Sequence, residues 1–532
     1  MSRPSPRFLS RLIAVAFATC AVLAAIPALA TAAITVNTTA DNAPNPGECA
    51  GAPGDCSLRQ AIDKANDAGG PETIVLPAGT YPLTIKGGAE NENETGDLDV
   101  TGEVTIQGAG ARSTTVDATG LEDRVFEVRP AASLSLSRLT VSGGLVTDEY
   151  GGGILAENAT LALDQVAVRG NTSANSGRGG GLALESSKVT IAASLIADNR
   201  NSGDGGGLWT EDGEISIVNT TIANNVVDTS LYPSVPGWGA YGGAMEVNEG
   251  DWVLQNVTIA GNSIADKNGG NEGEGAAING GFGTAQVVNT VIYGNTFFNI
   301  DPAEQSFCTE TLLSEGHNLE EQPLPEQPRC FESLTDLIAN PLLGPLANNG
   351  GETDTMALLN GSPAINAGDA NRCPATDQRG FPRPQLGGCD IGAYEVQPVP
   401  PPPPPVLKPT IKRGKVKVKK AGKTFRVWPG FLVSCPAGTE LCTGTVKARA
   451  PKIKSKGTAT ASAKKKVLVG KAKFKVAPGK TKVLKLKLNS RGAKMLRELG
   501  KLRTQFEVVA RVGNGPPVKA KRTAKLKLPG GR

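Results

Sequence analysis

The sequence predicts an all-β protein, in which a right-handed parallel β-helix precedes a small lysine-rich β-sandwich-like domain. Three observations predict it: a long internal repeat, a two-residue alternation of side chains, and a sharp division of charge. The repeat is a short apolar phrase whose copies follow one another at steps of 27, 28, 26, 37 and 33 residues. Repeats of roughly 20 to 50 residues are typical of solenoids. The phrase ends at Gly144, Asn171, Asn199, Asn225, Asn262 and Asn295.

The short-range pattern selects the kind of solenoid. Within each repeat, apolar and polar residues alternate over four to six positions, as at Leu161, Leu163, Val166 and Val168, and no window has helical spacing. Each repeat is therefore predicted to form two or three short strands that wind into one coil. Stacked coils would pair in parallel, and asparagines at one fixed turn would pass side-chain amide hydrogen bonds from coil to coil.

Charge divides the chain into two parts. Residues 406–532 carry 36 lysines and arginines against three acids, a net charge of +33, whereas residues 31–405 carry 16 basic against 48 acidic residues, a net charge of −32. In the basic part, lysines alternate with apolar residues, as in 415–419 and 484–488. This alternation predicts strands with one buried face and one lysine-covered face.

The first 30 residues predict export. Arg3, Arg7 and Arg11 precede an apolar run that ends in Ala28-Leu29-Ala30, which is typical of a Sec-type signal peptide. No later segment has the length and apolar character of a transmembrane helix. We therefore expect a protein that is secreted or held at the cell surface.

Eight cysteines remain after the signal peptide, and they fall into four close pairs. Disulfides between neighbours are the expected pairing in an exported chain, although many other connectivities are open. Metal binding is the weaker alternative, because there is no CxxC pair and only one histidine, His317. The pairs are Cys49 with Cys56, Cys308 with Cys330, Cys373 with Cys389, and Cys435 with Cys442.

The domain organisation follows from these boundaries. Residues 58–65 have apolar positions at helical spacing, with Ser57 as the predicted N-cap, so we expect one helix that covers the first coil. The predicted segments are a signal peptide (1–30), an N-terminal cap with that helix (31–70), the β-helix (71–300), a C-terminal cap (301–397), a proline-rich linker (398–405) and a basic β domain (406–532).

Two stretches resemble known exported proteins. Residues 56–62, CSLRQAI, followed by IVLPAGTY at 74–81, resemble the CSLREA motif of exported bacterial β-helix proteins, with Gln60 where that family usually has Glu. Residues 377–384, DQRGFPRP, with CDIGAYE at 389–395, resemble the choice-of-anchor Q region that closes similar β-helices before a surface anchor. The resemblance implies an exported β-helix and an anchor, and it implies no reaction.

Three glutamates are the candidate catalytic residues. Glu157, Glu185 and Glu211 take the same position in three successive repeats, so strand spacing would stack them ~4.8 Å apart. Close carboxylates raise one another's pKa or recruit Ca²⁺, and such a pair would suit glycoside hydrolysis. The simpler interpretation is a solvated turn that needs neither Ca²⁺ nor any other cofactor.

Aromatic residues supply the candidate ligand-binding positions. Tyr232, Trp238 and Tyr241 lie in or beside an insertion between two repeats, where aromatic faces would stack on sugars. Trp209 and Trp252 lie within the repeats and are expected to pack against neighbouring coils.

These features predict adhesion, glycan binding or surface structure, with the basic domain attached to anionic envelope polymers. The competing interpretation is that the basic domain binds the acidic β-helix of its own chain or of a neighbouring copy. The alternative is a polysaccharide hydrolase or lyase that acts from the outer face of the β-helix. A lyase is disfavoured because the acidic body would repel a polyuronate. A nucleic-acid partner is not expected for an exported chain whose lysine-bearing strands lack interleaved aromatic residues.

Overall fold

The computed structural model describes residues 33–45, 47–88, 90–231, 240–265, 273–280, 284–300, 306–323, 327–398, 407–452 and 466–530. The predicted signal peptide and nearly all of the predicted linker lie outside these residues. The chain separates into two compact units, Met1–Val399 and Pro400–Arg532. The first is a parallel β-helix and the second is a small β domain, so the predicted fold class is confirmed. No helix within the described ranges is long and apolar enough to cross a membrane.

The β-helix has three parallel sheets, and each coil adds strands to them. Pairing runs from Ile34 to Ile338, and so extends on both sides of the range 71–300. The main path of the first sheet is Ile34–Thr35, Glu72–Leu76, Glu103–Gly108, Ser133–Ser137, Thr160–Asp164, Leu182–Ala192, Leu208–Val218, Asp251–Gln255, Thr284–Val288 and Leu313–Ser314.

A branch of the first sheet pairs with its two long strands, and two further sheets complete the coils. The branch is Leu98–Val100, Phe126–Val128, Ile154–Glu157, Met245–Val247 and Ile278–Gly280. The second sheet is Gly79–Pro82, Thr114–Asp117, Thr140–Ser142, Ala167–Arg169, Leu195–Ala197, Thr221–Ala223, Thr258–Ala260, Val291–Tyr293, Leu319–Glu320 and Leu337–Ile338. The third is Leu145–Thr147, Thr172–Ala174, Arg200–Asn201, Val226–Asp228, Ser263–Ala265 and Thr296–Phe298.

The predicted asparagine ladder is confirmed. Asn171, Asn199, Asn225, Asn262 and Asn295 are buried at one turn of successive coils. Each side-chain amide donates to the Oδ1 of the next asparagine, at 2.9–3.0 Å. The same Oδ1 also accepts the preceding asparagine's backbone N–H, at 3.0–3.1 Å. The ladder therefore satisfies polar groups that the turn buries.

The N-terminal helix, Leu58–Asp67, packs on the strands Glu72–Leu76, Leu98–Val100 and Glu103–Gly108. Ser57 caps it and forms a capping box with Gln60, so this glutamine serves the helix terminus. Arg59 is fully buried and forms an ion pair with Asp41 at 2.9 Å.

The C-terminal cap is held by a buried polar network. Asp377 and Arg379 form an ion pair at 2.6 Å, and Arg379 lies over the ring of Tyr394 at 3.6 Å. Gln378 accepts a hydrogen bond from Thr221 of the solenoid at 2.6 Å. The DQRGFPRP stretch therefore docks the cap against the coils. The remaining elements of the cap are the antiparallel pair Leu343–Ala347 and Thr355–Leu358, and the 3-10 turn Ala370–Arg372.

All four predicted disulfides are present, each between neighbouring cysteines. Two smaller elements accompany the later coils: the 3-10 turn Thr229–Leu231, and the parallel pair Ala240–Tyr241 with Gly273–Glu274.

The second unit consists of antiparallel sheets around one apolar core, with a helix at Ser490–Leu499. Its four-stranded sheet contains Lys466–Val476, Cys442–Pro451, Lys501–Val512 and Val518–Lys527, in that order. One three-stranded sheet contains Thr410–Arg413, Phe431–Ser434 and Thr481–Val483. The other contains Lys417–Ala421, Thr424–Trp428 and Leu486–Lys487.

Candidate functional site: an acidic cleft on the β-helix

One outward-facing row of residues runs along the branch of the first sheet. In Leu98–Val100 and Phe126–Val128, the apolar first and third residues join the core, and the central acid faces outward. The parallel register continues this central position through seven coils at the usual strand spacing of ~4.8 Å. The row is Asp99, Glu127, Leu155, Ala183, Trp209, Glu246 and Asn279.

A cleft of about 550 Å³ lies over the first part of this row. Eight acidic side chains and three arginines, Arg124, Arg129 and Arg178, line it, together with Tyr150 and Leu155. The excess of acids gives the cleft a negative potential. This potential disfavours polyanionic ligands and favours neutral or cationic ones.

Arg124 is the centre of an ion-pair network at one end of the cleft. Its Nη1 lies 3.1 Å from Asp97 Oδ2 and 2.6 Å from Glu127 Oε2, and its Nη2 contacts Glu149. Arg129 contacts the other oxygen of Glu127. Burial alone would lower the pKa of Arg124, but the surrounding carboxylates outweigh it and raise that pKa.

Two aspartates of this network are difficult to ionise. Burial raises the pKa of Asp97 well above its usual range, although Arg124 opposes the shift. Burial also raises the pKa of Asp99 to about 7. One oxygen of each of Asp97, Asp99 and Glu127 lies within 4.8 Å of the others, which makes this trio the place where the described residues best suit a metal ion.

An aromatic and cationic stack lies at the other end of the cleft. The guanidinium of Arg178 lies 4.9 Å from the ring centroid of Trp209 and 5.6 Å from that of Tyr150. Arg178 Nε also lies 3.2 Å from Asp204 Oδ2. Trp209 is fully buried beneath this stack, and Tyr150 is half-buried and lines the cleft. The packing role predicted for Trp209 is confirmed, as is that of Trp252, which lies in the core.

Glu246 follows Trp209 in the row and is almost completely buried. Burial raises its pKa to about 8, and the negative charge of Asp204 adds to the shift. Asn279 donates a hydrogen bond to Glu246 Oε2 at 2.7 Å. Near neutral pH this carboxyl group therefore holds a proton.

The structure stacks the three predicted glutamates in register. Glu157 pairs with Glu185, and Glu185 pairs with Glu211. Burial raises the pKa of Glu185, and both neighbouring glutamates raise it further. Arg178 reaches Glu211 at 3.8 Å. Only Glu157 lines the cleft, so the ladder lies along its border. A catalytic role for the ladder stays a prediction.

Of the three predicted ligand-binding aromatic residues, Tyr232 and Trp238 lie outside the described residues. Tyr241 is half-buried and pairs in parallel with Glu274, beside the position of Asp204. Its ligand-binding role stays a prediction.

Arg124 and the acids around it were not among the predicted site residues. They precede Gly151-Gly152-Gly153, the first of the glycine runs that recur in the later repeats. A signal was nevertheless present, because Asp99, Glu127, Leu155 and Ala183 follow one another at steps of 28 residues. The same 28-residue step, continued towards the N-terminus, marks an apolar–acid–apolar triplet in two successive coils, Leu98–Val100 and Phe126–Val128.

The basic unit has a separate groove on its four-stranded sheet. Lys473, Lys475, Lys482 and Arg511 line it and are exposed, and among the described residues no acid lines it. Thr443 pairs with both Lys475 and Arg511, so these three side-chain positions cross the sheet in one line. Lys475 and Arg511 therefore lie on either side of Thr443 on one face of the sheet, and exposed cations placed in this way suit a polyanion.

Comparisons with known proteins leave the family open. No protein-family model matches the chain, and no curated protein sequence matches it.

Proposed function

We propose that the protein is an exported β-helix that binds glycans in its acidic cleft and attaches to anionic envelope polymers through its basic unit. The cleft carries the proposal, because it combines carboxylates, arginines and an aromatic face in one concave site. Its paired donors and acceptors suit sugar hydroxyls, and the half-buried ring of Tyr150 offers a face for stacking. The resemblance of CSLRQAI to the CSLREA motif supports the same surface role.

The charge of the cleft defines the class of glycan. Eight acids against three arginines would repel uronate or sulfate groups. We therefore expect neutral or amine-bearing sugars to bind and polyuronates to be rejected.

The test is a binding measurement on the mature full-length protein with immobilised neutral, amine-bearing and uronic glycans. Tyr150→Ala should weaken binding of the preferred class at least tenfold, because it removes the stacking face. Glu214→Gln is the matched control, since Glu214 is exposed and pairs with Lys188 outside the cleft. Preference for uronic glycans, or unchanged binding by Tyr150→Ala, would refute the proposal.

Attachment by the basic unit needs its own test. Lys475→Glu should reduce binding of the full-length protein to a phosphodiester polymer, because it reverses one charge in the line that crosses the sheet. Lys494→Glu gives the same change of net charge on the helix, where Lys494 is exposed beside Glu498. Equal weakening by both variants would show that net charge, rather than the groove, governs attachment.

A second candidate function is glycoside hydrolysis at the glutamate ladder. The observation that favours it is the raised pKa of Glu185 between two other glutamates. A carboxyl group that keeps its proton beside an ionised one is the pairing that such hydrolysis needs. Release of reducing ends by the native protein, lost in Glu185→Gln, would establish hydrolysis. Glycan binding without release of reducing ends would show that the ladder only borders the glycan site.

A further inference from the structure

We propose that Asp97, Asp99 and Glu127 bind a divalent cation of the calcium type at the Arg124 end of the cleft. One oxygen of each carboxylate lies within 4.8 Å of the others, and all three residues are buried. Asp97 and Glu127 line the cleft, whereas Asp99 lies behind them, so an ion would enter from the cleft. Carboxylate oxygens are the hard donors that Ca²⁺ prefers.

Two buried oxygen atoms without hydrogen-bond partners in the described ranges, one of them within the trio, also point to a ligand. Asp99 Oδ1 and Asn93 Oδ1 are both completely buried, and neither has a hydrogen-bond partner among the described residues. The two residues are neighbours, because the Asn93 backbone N–H donates to Asp99 Oδ2 at 3.1 Å. Buried acceptors are nearly always satisfied in folded proteins, and a cation bound by the trio would satisfy Asp99 Oδ1.

The local charge favours the binding of a cation. Asp97, Asp99, Asp123, Glu127 and Glu149 surround this end of the cleft, and Asp123 Oδ2 accepts the Asp97 backbone N–H at 3.2 Å. Within the described part of the chain, only two arginines, Arg124 and Arg129, form ion pairs with these five carboxyl groups. Four of the five acids are buried, so a divalent ion would supply positive charge that the arginines do not. Each carboxylate has about four lone-pair sites, which lets it contact an arginine and a metal ion together.

The loop that carries these oxygens is held in place by the N-terminal cap. Arg59 donates to the carbonyl oxygens of Gly96 and Asp97, both at 2.7 Å. The side-chain amide of Asn93 donates to the Arg59 carbonyl at 2.9 Å, which fixes the orientation of Asn93. The backbone that leads into Asp97 is therefore held before any ion binds, and preorganisation reduces the cost of binding.

The test is calorimetric titration of the full-length, chelator-treated protein with CaCl₂, followed by the same titration with MgCl₂. We expect one saturable site that prefers Ca²⁺. Asp99→Asn, which keeps the side-chain shape, should weaken it about tenfold or more. Glu214→Gln, an exposed acid elsewhere on the solenoid, should leave it unchanged. Near-ultraviolet circular dichroism confirms that each variant is folded.

The outcomes separate this inference from the proposed function. Absence of saturable Ca²⁺ binding, equal preference for Mg²⁺, or an unchanged site in both Asp99→Asn and Glu127→Gln would overturn it. Glycan binding is not needed for any of these readouts, so failure of the glycan proposal leaves the cation test intact.

Discussion

Substitution of one asparagine in the ladder should destabilise its contacts with both neighbouring coils. In Asn199→Ala the lost side chain is fully buried and takes part in four hydrogen bonds. It accepts from the backbone N–H of Asn171 at 3.1 Å and from the side-chain amide of Asn171 at 3.0 Å. It donates to the Val168 carbonyl and to Asn225 Oδ1, both at 3.0 Å. The substitution therefore breaks the ladder in its middle.

The magnitude follows from these four contacts. Each intramolecular hydrogen bond contributes about 1 kcal/mol net, and a buried group left without a partner costs about 1–3 kcal/mol. Two neighbours keep another bond, because the Asn171 amide still reaches the Val141 carbonyl and Asn225 Oδ1 still accepts the backbone N–H of residue 199. We therefore expect a loss of about 2–4 kcal/mol in the free energy of unfolding.

Urea denaturation and hydrogen–deuterium exchange of the full-length protein measure this loss. The backbone amide of Asn171 should exchange much faster in Asn199→Ala, because its acceptor is removed. Asn360→Ala is the control, since Asn360 is exposed in the same unit. An unfolding midpoint equal to that of the control, with unchanged protection at Asn171, would refute the reasoning.

Three further predictions concern other parts of the first unit. Arg59→Met should lower the free energy of unfolding by about 3–5 kcal/mol, because it leaves Asp41 buried without its ion pair. An unchanged denaturation midpoint would contradict this prediction. Burial raises the pKa of Glu246 from 4.5 to about 8, so the folded state retains a proton that the unfolded chain releases, and stability should fall as pH rises from 4.5 to 8. Glu246→Gln should reduce this pH dependence and be more stable than the native protein at pH 8. Thermal unfolding across that range measures both effects, and equal pH dependence in the variant and the native protein would contradict the prediction. Replacing Cys308 and Cys330 by serine opens a loop with a sequence separation of 22, and should lower the free energy of unfolding by about 3 kcal/mol in chemical denaturation. An unchanged free energy of unfolding would mean that the disulfide does not constrain the unfolded chain.

Most of the fold was predictable because its determinants are local and periodic. The alternation of apolar and polar residues specifies strands, and the recurring asparagine specifies the turn at which coils stack. The in-register stacking of Glu157, Glu185 and Glu211 followed from the same repeat. Neighbouring cysteines paired as expected, since short loops bring them together.

The cleft was harder to predict, because a position that recurs in every repeat is recognisable in the sequence only when it carries similar residues. The outward row begins with acids in two coils, but Leu155, Ala183 and Trp209 follow before the next acid, so the residue type does not repeat. The ion pairs of Arg124 also join residues from separate coils and loops. Such contacts depend on the three-dimensional stacking of coils, and sequence spacing specifies only the register.

The N-terminal motif links the cap to the cleft. A helix that only covered the edge of the first coil would need apolar residues on one face, yet CSLRQAI buries Arg59 completely. This guanidinium bonds to the carbonyl oxygens of the loop that leads into Asp97 and Asp99. Burial of a charge is costly unless it is paired, and Asp41 pairs with it. Arg59 therefore positions the acidic end of the cleft, and changes in this helix should alter the cleft as well as the stability of the first coil.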